Sequence, residues 1–167
     1  MPLDIDNPFW HFSLRVYGAP GVSEECLELQ DKLGIDVNVM LYAVWLGAVR
    51  GITLREGDLA RIVEVVAIWS ANVVHPLRNV RRAMKTIPEI VDPQLQTLRK
   101  QVADTELFSE QIEQALLFQL TESFRHPEGA ANAAAQMNIS TVLAWYDADN
   151  TAFPLRNLIA ASNAVRA

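Results

Sequence analysis

Apolar residues recur along this chain at a spacing near 3.6, and no stretch alternates with the period of two that a half-buried strand requires. Asn7 followed by Pro8 has the form of a helix N-cap with proline at the first helical position, predicting a helix over 8–17 that Gly18 closes. A second helix is expected from about Ser23 to Leu33, ended by Gly34. The third runs from 37 to 50. Val37 to Val49 carries a single polar side chain, Asn38, so this segment has no face for water and should lie at the centre of the fold.

Thr53 and Glu56 have the spacing of a capping box, opening a long helix over 57–86 whose apolar positions include Leu59, Ile62, Val66 and Val73. Pro76 removes a backbone donor and should bend this helix, and Pro88 should end it. Asp92-Pro93 opens another helix through Phe124, with a break expected near Asp104. HPEG at 126–129 reads as a loop, AANAAAQMNISTVLAWYDA as a helix, DADN as a turn, and PLRNLIAASNAVRA as a last helix. PLRN occurs twice, at 76–79 and 154–157, but its flanks do not match and no repeat is implied. The pattern predicts one all-α domain over 1–167, a bundle of six or seven helices around helix 37–50, with 8–17, 57–86 and 93–124 packed on it.

Composition adds limits. Half of the 167 residues are hydrophobic and a fifth are charged, as in a globular chain with one sizeable core. A net charge of −6 argues against a nucleic-acid partner. The longest apolar run is shorter than the ~20 residues of a membrane span. One cysteine, Cys26, and no secretory pattern fit a reducing cytoplasm.

Two groups of residues could carry chemistry. Asp31, Asp36 and Asn38 gather carboxylates and an amide at the start of the central helix. Asp36 reads as its N-cap and Asn38 as a polar residue specifying the core, so the set is expected to be structural. Helical enzymes that bind prenyl diphosphates hold Mg²⁺ with D-x-x-x-D on one helix, whereas here Gly34 separates the two aspartates. The second group is basic. Arg78, Arg82 and Lys85 share a helix face with Arg81 at its edge, while Glu24, Glu28 and Asp31 repeat the same spacing on helix 23–33, with Glu25 alongside. The two stripes are expected to meet in salt bridges, and the alternative use of the basic one is to grip an anion or acidic partner.

His11, His75 and His126 are isolated, and no H-x-x-x-H, G-x-S-x-G or glycine-rich phosphate loop is present, so neither catalytic residues nor metal or other cofactors are expected. Acidic neighbours should raise the pKa of Cys26, and the four tryptophans read as core anchors.

NPFWHFSLRVYGAPGVSEECLELQDKLGIDVNVMLYAVWLG, followed by WSANVVHPLRNVRRAMK, resembles a small uncharacterised family of proteobacterial proteins of about this length, known only as a domain of unknown function. The resemblance covers residues 7–86. It implies a bacterial cytoplasmic helical protein and carries no activity, ligand or site residues.

The expected role is therefore a non-catalytic adaptor or regulator that binds another protein, with long amphipathic helices suited to helix-in-groove contacts. The rival is an enzyme, which would need Asp31, Asp36 and Asn38 to converge with Arg78, Arg81 and Arg82 on a metal or anionic ligand. A small-ligand binder would need an apolar cavity between the central helix and its neighbours. FWHFSLRVY and the long 93–124 helix offer more apolar surface than one chain covers, so a two-fold homodimer is expected.

Overall fold

The computed structural model describes residues 2–87, 92–124, 131–148 and 152–166. Among these the chain forms α1 (Pro8–Tyr17), α2 (Val22–Leu33), α3 (Val37–Arg50), α4 (Glu56–Trp69), a π turn (Ser70–Val74), α5 (His75–Thr86), α6 (Pro93–Gln119), a 3₁₀ turn (Thr121–Ser123), α7 (Ala131–Trp145) and α8 (Arg156–Arg166), with no strand. Counting α4, the π turn and α5 as one continuous rod gives seven helices. The HPEG loop and His126 lie outside the described residues, as does the second half of the DADN turn.

Short-range chemistry sets the helix starts. Asn7 Oδ1 accepts the Trp10 N–H at 2.9 Å, Asp36 Oδ1 accepts the Asn38 N–H at 2.9 Å, and Asp92 Oδ1 accepts the Gln94 N–H at 2.7 Å. Each satisfies a donor that the first turn cannot bond internally. The expected capping box at Thr53 is corrected. α4 begins two residues later, and it is Asp58 Oδ2 that accepts the Arg55 N–H at 3.0 Å. Thr53 instead belongs to a short extended strap, Ile52 to Leu54, with Ile52 and Leu54 buried.

Pro76 acts one turn earlier than the bend placed on it. It has no N–H for a carbonyl in the preceding turn, and the backbone answers by widening into the π turn, where the His75 N–H reaches back to Ser70 O. α6 is not broken near Asp104. Its 27 residues run unbroken to Gln119, about 40 Å at ~1.5 Å per residue, where the 3₁₀ turn replaces the expected last helical turns.

α3 is central, with Asn38 through Ala48 all buried. Its most extensive neighbour is α7, followed by α6, α8, α1 and α2. The 57–86 rod, expected on α3, packs chiefly on α6 and α7. Small residues explain the exchange: a Cβ at Gly47 would lie 2.4 Å from Ala135 Cα, so only glycine lets the α3 and α7 backbones come this close. Phe9, Tyr42 and Trp45 form an aromatic cluster with ring centroids 5.1–5.8 Å apart, bounded by Phe118 and Phe124. Tyr42 O–H donates to Thr121 Oγ1 at 3.1 Å, because the Thr121 proton is already given to Phe118 O.

Asn138 on α7 ties the strap to α3. Its Oδ1 accepts the Leu54 N–H at 2.7 Å, and its Nδ2 donates to Ala43 O and Ile52 O, each at 2.8 Å, with the side chain fully buried. Removing it strands a buried donor and an acceptor and opens a small void. Asn138→Ala is therefore expected to lower the unfolding free energy by about 3 kcal/mol. Chemical denaturation checks this, and a loss below about 1 kcal/mol would show that water replaces the three bonds.

Candidate functional site

The polar residues of the first α3 turn do not stand alone. Asp36 Oδ2 accepts the Ser70 hydroxyl at 2.8 Å, so the cap of α3 is joined to the π turn. Asn38 Nδ2 donates to Glu113 Oε2 at 3.0 Å, and Asn38 Oδ1 accepts from Gln114 Nε2 at 2.8 Å, so both functions of the Asn38 amide are engaged by α6. Glu113 is fully buried, and burial pushes its carboxyl up to about 9, helped by the adjacent Asp36 carboxylate. At neutral pH Glu113 keeps its proton. Its carboxyl neighbours the Asp36 carboxylate, which can take that proton in a hydrogen bond.

The basic stripe meets acid on two helices. Arg82 Nη2 pairs with Asp31 Oδ1 at 2.8 Å on the surface, which is the contact expected between α5 and α2. Arg78 and Arg81 turn instead to α6. Arg78 reaches Glu106 at 3.3 Å and Glu110 at 2.5 Å, and Arg81 forms a two-nitrogen fork on Glu106. Burial pushes the Glu110 carboxyl upward, partly offset by Arg78. Lys85 is exposed on the last turn of α5. Of the acidic stripe, Glu28 pairs with Lys32 within α2, and Glu25 accepts the Asn157 and Leu158 N–H groups at 3.0 and 2.9 Å, capping α8 from a different helix.

The structure thus brings Asp36 and Asn38 together and leaves Asp31 apart. Asp31, His75, Arg78 and Arg82 border a shallow depression of about 230 Å³. The larger space is a cleft of about 370 Å³ between α1, α2, α3, α5 and α6. One side is apolar, with Trp10, Leu14, Tyr17, Leu27, Leu41 and Leu107. The other carries the Arg78/Arg81–Glu106/Glu110 set, with Asn38, Gln114 and Ser13 also on the lining. Sequence reasoning missed Glu106, Glu110, Glu113 and Gln114. Glu106, Glu110, Glu113 and Gln114 do fall within nine residues of one helix, at spacings that share a face.

One protein family, described as "Protein of unknown function (DUF2390)", matches residues 8–117. The chain belongs to this family. The matched region runs from the first residue of α1 to the end of the α6 segment bearing Glu106, Glu110, Glu113 and Gln114, and so contains every residue of the cleft. It reaches well past the 7–86 segment that carries the resemblance in sequence. No curated protein and no solved structure matches the chain.

The remaining reactive groups are placed away from chemistry. Cys26 is buried, and burial first, with Glu25 second, pushes its thiol up to about 12. His11 pairs with Asp6 at 3.0 Å on the surface, and His75 is exposed. Of the four tryptophans, Trp45 is buried in the core, Trp69 donates its indole N–H to Ser109 O at 2.9 Å, Trp10 lines the cleft and Trp145 is exposed.

The raised Glu113 carboxyl makes stability depend on pH. Folded Glu113 holds a proton that the unfolded chain has released above about pH 4.5, so the stability it contributes is full below that value and is lost as pH rises toward about 9. Glu113→Gln keeps one donor and one acceptor and removes the titration. Wild type is expected to lose stability between pH 5 and 9 relative to this variant, at up to ~1.4 kcal/mol per pH unit. Denaturation curves across this range check it, and parallel curves for the two proteins would place the Glu113 proton elsewhere.

Proposed function

We propose that this protein is a non-catalytic binding module whose cleft takes a small, uncharged, mainly apolar ligand. The cleft's internal charge balance carries the reading. Its two guanidiniums are held by Glu106 and Glu110, so an incoming anion would have to displace carboxylates already bonded to them. What the walls offer a ligand is apolar and aromatic surface, in a volume within the ~300–1,000 Å³ of small-molecule sites. An enzyme would need a nucleophile or an acid–base pair open to substrate. Asp31 is ion-paired at the surface, Asp36 is a cap, and Glu113 lies bonded to Asn38 and Asp36. Among the described residues no group of three or more His, Cys, Asp or Glu could hold a metal ion, and no helix is long and apolar enough to cross a membrane.

Thermal unfolding with indole, benzofuran and 2-naphthol tests this reading. At least one is expected to raise the wild-type midpoint by about 3 °C when present tenfold above its Kd. Ala103→Trp, which fills the cleft from α6, should abolish the rise. A flat response of the wild type to all three compounds removes the reading.

A second reading, docking of a protein partner, has its own support. No residue of α5 is buried, nor is any in the 92–105 segment that opens α6, yet these helices expose Val80, Leu95 and Leu98, and Ile87 just past α5 is exposed as well. Lys85 and Arg99 lie on these two helices in a molecule whose net charge is −6, while Lys100 is paired with Asp104, so the body of a second copy is the complementary occupant. A two-fold dimer is the form expected. Light scattering at micromolar concentration should give a mass near twice 18.6 kDa, and a value near 18.6 kDa excludes it.

A further inference from the structure

Two side chains bordering the cleft are left with unpartnered polar atoms: Ser13 Oγ on α1 and Gln114 Oε1 on α6, each on a residue only 3% exposed. A buried acceptor without a donor is unfavourable, so its orientation calls for a cause. The cause is a chain of hydrogen bonds with one direction. The Asp36 carboxylate is held by the Asn38 N–H and the Ser70 hydroxyl and can only accept. Glu113 donates its proton toward Asp36, which leaves Glu113 Oε2 as acceptor for Asn38 Nδ2. Asn38 Oδ1 must then accept, and it does so from Gln114 Nε2. Each link fixes the next, and the last atom of the chain, Gln114 Oε1, is an acceptor with nothing to accept from. Turning the Gln114 amide over would set two acceptors against each other and break the link to Asn38.

We infer that the cleft selects an uncharged, ring-bearing ligand that donates one N–H or O–H to Gln114 Oε1, its ring held among Trp10, Leu14, Leu41 and Leu107. This rests on the cleft being the binding site and adds the ligand's polarity. Ser13 Oγ, whose hydrogen is free to rotate, takes whatever second polar atom the ligand carries. A ligand without a donor leaves Gln114 Oε1 as it is and gains only apolar burial. A donor supplies the missing bond as well. Sites built to hydrogen-bond a ligand group discriminate strongly against analogues that lack it.

Indole and benzofuran have nearly the same shape and differ in the donor, so calorimetric titration of the full chain with each reads the proposal directly. Indole is expected to bind about tenfold or more tightly than benzofuran. In Gln114→Met this preference should fall to about twofold or less, while Ser13→Ala should retain it. Equal binding of the two compounds to the wild type overturns the donor requirement and leaves the cleft as a binding site. A preference that survives in Gln114→Met, or vanishes in Ser13→Ala, also overturns it, as does benzoate binding more tightly than indole. Binding of neither indole nor benzofuran overturns the inference, and the cleft reading falls with it only where 2-naphthol also leaves the wild-type midpoint unchanged. The wild-type comparison decides the matter even where Gln114→Met fails to fold.

Discussion

The Asp36 carboxylate is the point from which the interior is organised. It closes the N-terminus of the most buried helix, receives the Ser70 hydroxyl from the π turn and lies against protonated Glu113 of α6. Three elements far apart in sequence therefore converge on two oxygen atoms. A capping carboxylate at a helix N-terminus is ordinary, because the first-turn N–H groups and the helix dipole both favour it. Here it lies within the fold, where each further contact must also be a donor. The serine hydroxyl and the glutamic acid proton are the donors the neighbouring helices supply.

Electrostatics in the second layer are closed in a similar way. Arg78 and Arg81 would be costly to hold half-buried without acid, and Glu106 and Glu110 would be costly without base. Joined, they let α5 lie along α6 although α5 has no buried apolar residue of its own. The pairing holds the two rods side by side, and the space left where α1 and α2 meet them is the cleft. Its apolar side comes from α1, α2, α3 and α6, where Leu41 is buried while Leu14, Tyr17, Leu27 and Leu107 stay exposed along the opening.

Much of this fold was legible in the sequence for local reasons. Asn7-Pro8, Asp36 and Asp92-Pro93 each declare a helix start through atoms within three residues, and Gly34 and Gly51, both at positive φ, declare the ends. The apolar run of α3 announced a central helix because no water-facing side was left. What escaped depends on partners distant in sequence. Thr53 and Glu56 had the spacing of a capping box, but Asn138 holds the strap extended and delays α4 to Glu56. Pro76 had to disturb its helix, yet the residues around it do not distinguish a kink from the π turn that forms, in which the His75 N–H bonds Ser70 O. The basic stripe was visible, with the acids of α2 as its expected partners, but only Arg82 finds one there, and Arg78 and Arg81 turn to Glu106 and Glu110 of α6 because the two rods lie side by side. Glu113 carries no sign in the sequence of holding a proton. Only its burial against Asp36 gives it one.

The polar core also answers a problem that α3 creates. Apolar packing has no direction, and a helix that is apolar all round can rotate or slide by a turn among its neighbours at small cost. Hydrogen bonds do not allow that. Asn38 reaches Glu113 and Gln114 at one height and one rotation, Gly47 meets Ala135 only at the same setting, and the Asn138 clamp on Ala43 O repeats the constraint from α7. A buried polar group of this kind adds little net stability over an apolar replacement of equal volume, and its use is to make one arrangement better than all neighbouring ones. The amide that fixes α3 against α6 also hands its polarity to Gln114, so the register of the core and the character of the cleft come from the same bonds. The cleft is for this reason tied to the packing of the helices around it. Any rearrangement that moved α6 along α3 would undo the chain of donors and acceptors at Asn38 before it changed the apolar walls.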